Sequence, residues 1–174
     1  MLCVEYVDEV WKSPDDIDIL TKDPFNRAKA KIVADEISKN VRPNYYKILL
    51  RQTAEERNKA RDELLESLRY ISCTFMSSSE ETFLYNGNIG YADICLAPFA
   101  LRFDVALSHY RQFFIPKTSD YEHYNSWWDR IKNNPILKST SPTNEQLLEI
   151  YRSYADNTAP SKARLAVNKG EVIP

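Results

Sequence analysis

The segment that most restricts how this chain folds runs from Phe83 to Phe99, FLYNGNIGYADICLAPF: a short apolar run, a turn, then the entrance of an apolar helix. Asn86-Gly87 supplies the turn, because both residues accept positive φ at little cost. With Gly90 as N-cap, Asp93 falls at N3, where its carboxylate can reach back to free backbone N–H groups and oppose the helix dipole. Ile89 and Ile94 stand at the N′ and N4 positions of a hydrophobic staple, which sets the angle of entry. The residues that follow, to Leu101, are almost wholly apolar, the pattern of a helix buried on all sides. This helix is expected to be the centre of the fold.

A chain of 174 residues with three Gly, eleven Tyr, seven Phe and three Trp has little turn-forming capacity and ample core material. It reads as a single all-α domain. A net charge of −2 with both signs interspersed lacks the clustered basic face of a nucleic-acid binder. No apolar run approaches the ~20 residues that span a bilayer. Acids near Met1 replace the basic start of a signal peptide, so a cytoplasmic location is expected.

The cysteines, Cys3, Cys73 and Cys95, are odd in number and lack metal-site spacing, so neither a disulfide framework nor a metal centre is indicated. Cys95 and Cys73 lie on apolar stripes and read as small core residues. Cys3 has Glu5 nearby, which disfavours a thiolate. His109 and His123 stand far apart in the sequence and read as structural. No catalytic residue is indicated.

Helical spacing organises the rest. Leu2, Tyr6, Val7, Val10 and Trp11 form an amphipathic helix over 1–11 with no cap. Asp23 caps a helix from Pro24 to about Arg51, with Ala28, Ile32, Asp35, Val41, Tyr45, Ile48 and Leu49 inward and a kink at Pro43. Thr53, with Glu56 at N3, opens a helix to about Phe75 whose stripe is Ala60, Leu64, Leu68, Ile71 and Phe75. Ser77 to Glu81 reads as a surface loop. A helix over Ser119 to Asn133 turns Tyr121, Tyr124, Trp128 and Ile131 inward and stops at Asn134-Pro135. Thr143 with Gln146 opens a last helix to Tyr154, and Ala159 onward reads as a poorly ordered tail. The organisation is therefore 1–11, 12–158 and a tail over 159–174.

Four motifs in this order resemble the C-terminal helical domain of cytosolic glutathione transferases, most closely the omega-like class. Glu5 to Glu9 looks like the end of the last helix of that family's thioredoxin-like domain, so that 1–11 would be its remnant. Asp23-Pro24-Phe25-Asn26-Arg27-Ala28 resembles the D-P-x-x-[RK]-A start of the helical domain. Phe83-Leu84 through Asp93 resembles F-L-x-G-x-x-x-[ST]-x-x-D, and Trp127-Trp128-Asp129-Arg130-Ile131 to Asn134-Pro135 resembles W-x-x-x-[IM]-x-x-x-P. Gly90 stands where the family has Ser or Thr, at a cost of a few tenths of a kcal/mol.

The resemblance implies a helical bundle of about five to six helices that supplies half of an electrophile pocket. Phe99 would be an apolar platform, Arg102 a cation for a carboxylate or enolate, and Tyr151 a hydroxyl donor. Each has a plainer reading: Phe99 as core, Arg102 paired with Asp104, Tyr151 as packing for the last helix. The omega-class aromatic at the position of Asn144 is absent. The Glu-Ser pair that grips glutathione, the catalytic cysteine or hydroxyl and the cis-Pro of the thioredoxin-like domain would all lie upstream of Met1. Glutathione is then the co-substrate of the complete enzyme, and these residues alone would be inactive. Family-type dimers would use the helices within 24–75. The alternative is a non-catalytic interaction module, with a protein partner over Leu2, Tyr6, Val7 and Trp11.

Overall fold

A computed structural model describes residues 2–11, 18–76 and 89–173; the Asn86-Gly87 turn and the Ser77–Glu81 loop lie outside them. Among the described residues the structure is all-helical, with eight helices: α1 (Leu2–Val10), α2 (24–50), α3 (Ala54–Phe75), α4 (91–111), α5 (Glu122–Ile131), α6 (Pro135–Thr140), α7 (Asn144–Ala155) and α8 (Lys162–Lys169). Those beyond the expected number are short. Asn134-Pro135 ends α5 and also starts α6, since Asn134 Oδ1 accepts from the Ile136 N–H at 2.8 Å and Pro135 takes the first position, where a missing N–H costs nothing.

Two of the three long helices, α2 and α4, each contain one wide turn. In α2, Ile37–Val41 is π-helical, and the Arg42 N–H reaches back to the Ile37 carbonyl. The wide turn directly precedes Pro43, which has no N–H to offer the carbonyl one turn back, so the helix absorbs the proline by widening. In α4, Phe103–Leu107 is π-helical, five residues after Pro98, and the Ser108 N–H reaches the Phe103 carbonyl.

Packing follows the apolar stripes, with two corrections. In the first half of α2 the buried row is Ala30, Val33, Ala34 and Ile37, whereas Ala28, Ile32 and Asp35 are exposed. The two rows are about 100° apart around the helix, and the bundle takes the one continuous with Val41, Tyr45, Ile48 and Leu49. Cys73 is exposed rather than core, because it lies just past the buried Ile71 and Ser72; its thiol faces the Asp120 carbonyl at 3.4 Å. Cys95 is buried, and that burial pushes its thiol up to about 12.

The stretch after Ala159 is also not the loose tail expected. Ser161 Oγ accepts from the Arg164 N–H at 3.2 Å and starts α8, which ends at Gly170 with φ 73°. Ala166, Val167 and Ile173 close over Leu50 as a second apolar cluster. Arg42 and Arg51 donate to the carbonyls of Ile173 at 2.8 Å and Val167 at 2.7 Å. Charged residues in this stretch mask an apolar stripe that is only three side chains wide.

At the other end, α1 is held by carboxylates. Glu5 accepts from Lys31 Nζ and from the Tyr91 hydroxyl, both at 3.0 Å, and Asp8 accepts the N–H groups of Ile19 and Leu20 at 3.2 and 3.3 Å. The Ile19 carbonyl in turn takes the Tyr91 N–H at 2.9 Å, so α1 is tied to the first turn of α4. Tyr6, Val7, Val10 and Trp11 remain exposed.

Candidate functional site

The start of α4 combines every device expected of it at the backbone level. Gly90 is extended (φ −112°, ψ −176°), and Asp93 Oδ2 accepts its N–H at 3.0 Å. Gly90 has no side chain to return the bond, so this is half of a capping box. Ile89 and Ile94 are both half-buried at the staple positions. A second bond to Asp93 was not foreseen: its Oδ1 accepts from the Trp127 indole N–H at 2.7 Å, with Asp93 wholly buried. Trp127 appeared in the sequence only as part of a motif. Nothing in helical spacing pairs it with an acid on another helix.

From this anchored start, two turns of α4 carry Phe99 and Arg102 toward α7, where Tyr151 stands. Arg102 Nε donates to the Tyr151 hydroxyl at 2.6 Å, and Nη1 donates to the Pro98 carbonyl at 2.5 Å. The guanidinium carbon lies 5.9 Å from the centre of the Phe99 ring and 5.7 Å from that of Tyr151, within reach of cation–π attraction. The three residues singled out from the sequence are thus neighbours. The alternative partner of Arg102, Asp104, instead accepts from the Trp128 indole N–H at 2.5 Å.

Three further tyrosines complete the cluster. Tyr45 of α2 packs edge-on against Phe99 at 6.1 Å and Tyr151 at 5.7 Å. Its buried hydroxyl makes no hydrogen bond among the described residues, and burial, reinforced by Tyr151, holds its pKa well above the usual phenol range. Tyr46 contacts Tyr154 at 5.9 Å, and burial pushes its pKa up to about 12. Neutral phenols around one guanidinium make a site that offers a fixed positive charge and polarisable walls, and no general base. The legible signal for these was the pair Tyr45-Tyr46 and the i, i+3 spacing of Tyr151 and Tyr154.

Arg102 and Phe99 are half-buried, and Tyr151 is 6 % exposed. Two clefts lie elsewhere: one of about 690 Å³ between the segment 113–119 and α5, and one of about 250 Å³ bordered by Leu101, Leu137 and Asn144. Among the described residues no group of three His, Cys, Asp or Glu side chains could hold a metal. Nor is any helix among them long and apolar enough to cross a membrane.

The family model described as "Glutathione S-transferase, C-terminal domain" matches residues 26–135. Among curated proteins, the chain is 29 % identical over 150 residues to "Glutathione S-transferase U16" of Arabidopsis thaliana, covering 84 % of this chain and 62 % of that protein. It is 25 % identical over 157 residues to a "Probable glutathione S-transferase" of Nicotiana tabacum, covering 88 % and 65 %. The chain therefore spans less than two thirds of the length of these relatives. Among solved structures it is similar to the Tau class glutathione S-transferase MiGSTU from mango, Mangifera indica, with TM-score 0.74 and 28 % identity over 91 % of this chain and 69 % of that one. It shares the fold of glutathione transferase Omega 3C from Trametes versicolor, with TM-score 0.74 and 22 % identity over 92 % and 65 %. The match over 26–135 covers the helices that build both the Asp93 anchor and most of the Arg102 cluster, and the chain belongs to the glutathione S-transferase C-terminal domain family.

Proposed function

We propose that this chain is the electrophile-binding helical part of a glutathione transferase. Its complete form would carry out glutathione-dependent thiol transfer, dehydroascorbate reduction or conjugation, in the manner of omega-like enzymes. The observation that carries this reading is the Arg102 guanidinium held between Phe99 and Tyr151. Two of its donors are committed to Tyr151 and Pro98, which fixes the plane and leaves the remaining N–H groups for the oxygens of a carboxylate or enolate. The free N–H groups of Arg102 are read as serving the electrophile, and activation of the glutathione thiol as the work of the family's thioredoxin-like domain. The 174 residues by themselves are accordingly read as inactive, cytoplasmic, and able to pair with a second copy through 24–75.

Calorimetry separates the parts of this reading. Glutathione is expected to give no saturable heat with the chain, whereas 4-nitrobenzoate binds and Arg102→Leu weakens it tenfold or more. Tight glutathione binding, or thiol-transferase activity near that of complete enzymes, would overturn the assignment of thiol chemistry to residues outside these. Binding of 4-nitrobenzoate that is indifferent to Arg102→Leu would remove the pocket.

A second reading, a non-catalytic interaction module, is favoured by the exposed face of α1, where Trp11 is 69 % and Tyr6 57 % exposed. A monomer at low concentration that takes up no apolar dye would count against it.

A further inference from the structure

The larger cleft has a chemistry of its own, unrelated to the Arg102 cluster. It lies between the segment 113–119, the wide turn of α4 and helix α5, and its volume of about 690 Å³ is that of small-molecule sites. The Asn125 side chain holds one wall by donating to the Pro116 carbonyl at 3.0 Å. Phe114, 69 % exposed, and the half-buried Ile115 supply apolar surface.

The polar groups on this cleft are unevenly matched. Asp129 pairs with Lys132. Asp104 Oδ2 accepts from the Trp128 indole N–H, and neither Asp104 nor Glu122 makes an ion pair among the described residues. Lys117 is the other cation that lines the cleft among the described residues. Tyr124 lines the cleft and is 2 % exposed, and its hydroxyl makes no hydrogen bond among the described residues. Asp104 is close enough that its charge, after burial, pushes the Tyr124 phenol up. The Tyr124 hydroxyl oxygen and the Asp104 Oδ1 are acceptor positions on this cleft that no donor among the described residues fills.

We propose that this cleft binds an organic cation with an aromatic body, a primary arylalkylamine. The ammonium sits between the Asp104 carboxylate and the Tyr124 hydroxyl oxygen, both acceptors for its three N–H donors. The ring of the ligand lies against Phe114 and Ile115, and the indole of Trp128 adds attraction for the positive charge. A neutral ligand of the same shape keeps the ring contact and loses the ion pair.

Titration calorimetry with phenethylamine on the full chain tests this. Saturable binding is expected, at least tenfold weaker for 2-phenylethanol and for Asp104→Asn, which keeps an acceptor for Trp128 and so keeps the fold. Phe114→Ser, on an exposed side chain, is expected to weaken it severalfold, and Arg102→Leu to leave it unchanged. Absence of saturable heat up to millimolar phenethylamine, binding of the alcohol as tight as the amine, or undiminished binding by Asp104→Asn would overturn the proposal. Loss of binding in Arg102→Leu would place the amine at the aromatic cluster instead and overturn it equally.

Discussion

Asp93 and Trp127 lie 34 residues apart and meet in the core, Oδ1 accepting the indole N–H at 2.7 Å while Oδ2 accepts the Gly90 N–H at 3.0 Å. One buried carboxylate thus caps α4 and fastens α5 to it. Removing it strands the buried indole N–H and the half-buried Gly90 N–H and leaves a void. Asp93→Ala is expected to destabilise by about 2–4 kcal/mol, and Asp93→Asn by less, since one acceptor oxygen remains. Urea unfolding followed by circular dichroism gives both values; a loss under 1 kcal/mol for the alanine variant would contradict the anchoring role.

Gly90 offers the opposite test. A Cβ built there meets Asp93 Oδ2 and the Ile19 carbonyl, each at 3.6 Å, which is ordinary contact, and the backbone is already in the extended conformation of a cap. Gly90→Ser adds the missing acceptor and is expected to stabilise by a few tenths of a kcal/mol up to about 1. A lowered thermal midpoint would show that the site has no room for the hydroxyl.

The hold of α1 on the bundle depends on ionised carboxylates. The hydrogen bond from Lys31, then that from Tyr91, holds Glu5 below its ordinary value. A lowered folded-state pKa contributes stability that is complete above the unfolded value, near 4.3, and is lost as pH falls through the lower folded one. Acidification through that window is expected to release α1 before the bundle unfolds. Amide exchange over residues 3–10, corrected for intrinsic rates, should rise there while Ala60–Ile71 stays protected, and Glu5→Gln should show the same release at neutral pH. Protection of α1 that survives to pH 3 would rule out this attachment.

Arg111 closes the opposite end. Its guanidinium donates to the carbonyls of Ile48 at 3.2 Å, Leu49 at 2.5 Å and Ala155 at 2.5 Å, the ends of α2 and α7. These carbonyls are helix-terminal acceptors, and a planar fork serves two helices at once. Arg111→Ala is expected to cost about 3 kcal/mol or more, and Arg111→Lys to recover only part of it, because an ammonium cannot span both ends. Equal stability of the lysine variant in denaturant unfolding would argue against the fork geometry.

Most of the helical frame was legible in residue order, for reasons local to the chain. Caps at Asp23, Thr53, Thr143 and the Gly90–Asp93 start act within four residues, and the stripe from Ala60 to Ile71 repeats at the period of one helix. Such interactions need no knowledge of what stands opposite. The face chosen by the first half of α2, the exposure of Cys73 and the docking of α8 on Leu50 were decided by the neighbour that arrived, and periodicity alone leaves adjacent rows equivalent.

The same division holds for the site. The family motifs brought Phe99, Arg102 and Tyr151 to attention, but the choice of Tyr151 over Asp104 as the partner of Arg102 is a tertiary fact, as are the bond from Trp127 to Asp93 and the meeting of Asp104, Tyr124 and Phe114 around one cleft. Sequence determined the local hydrogen bonds and which residues are apolar, because both are properties of a few neighbouring positions. Only the packed bundle decided which polar groups found partners, because satisfying a buried donor depends on atoms that lie far away along the chain.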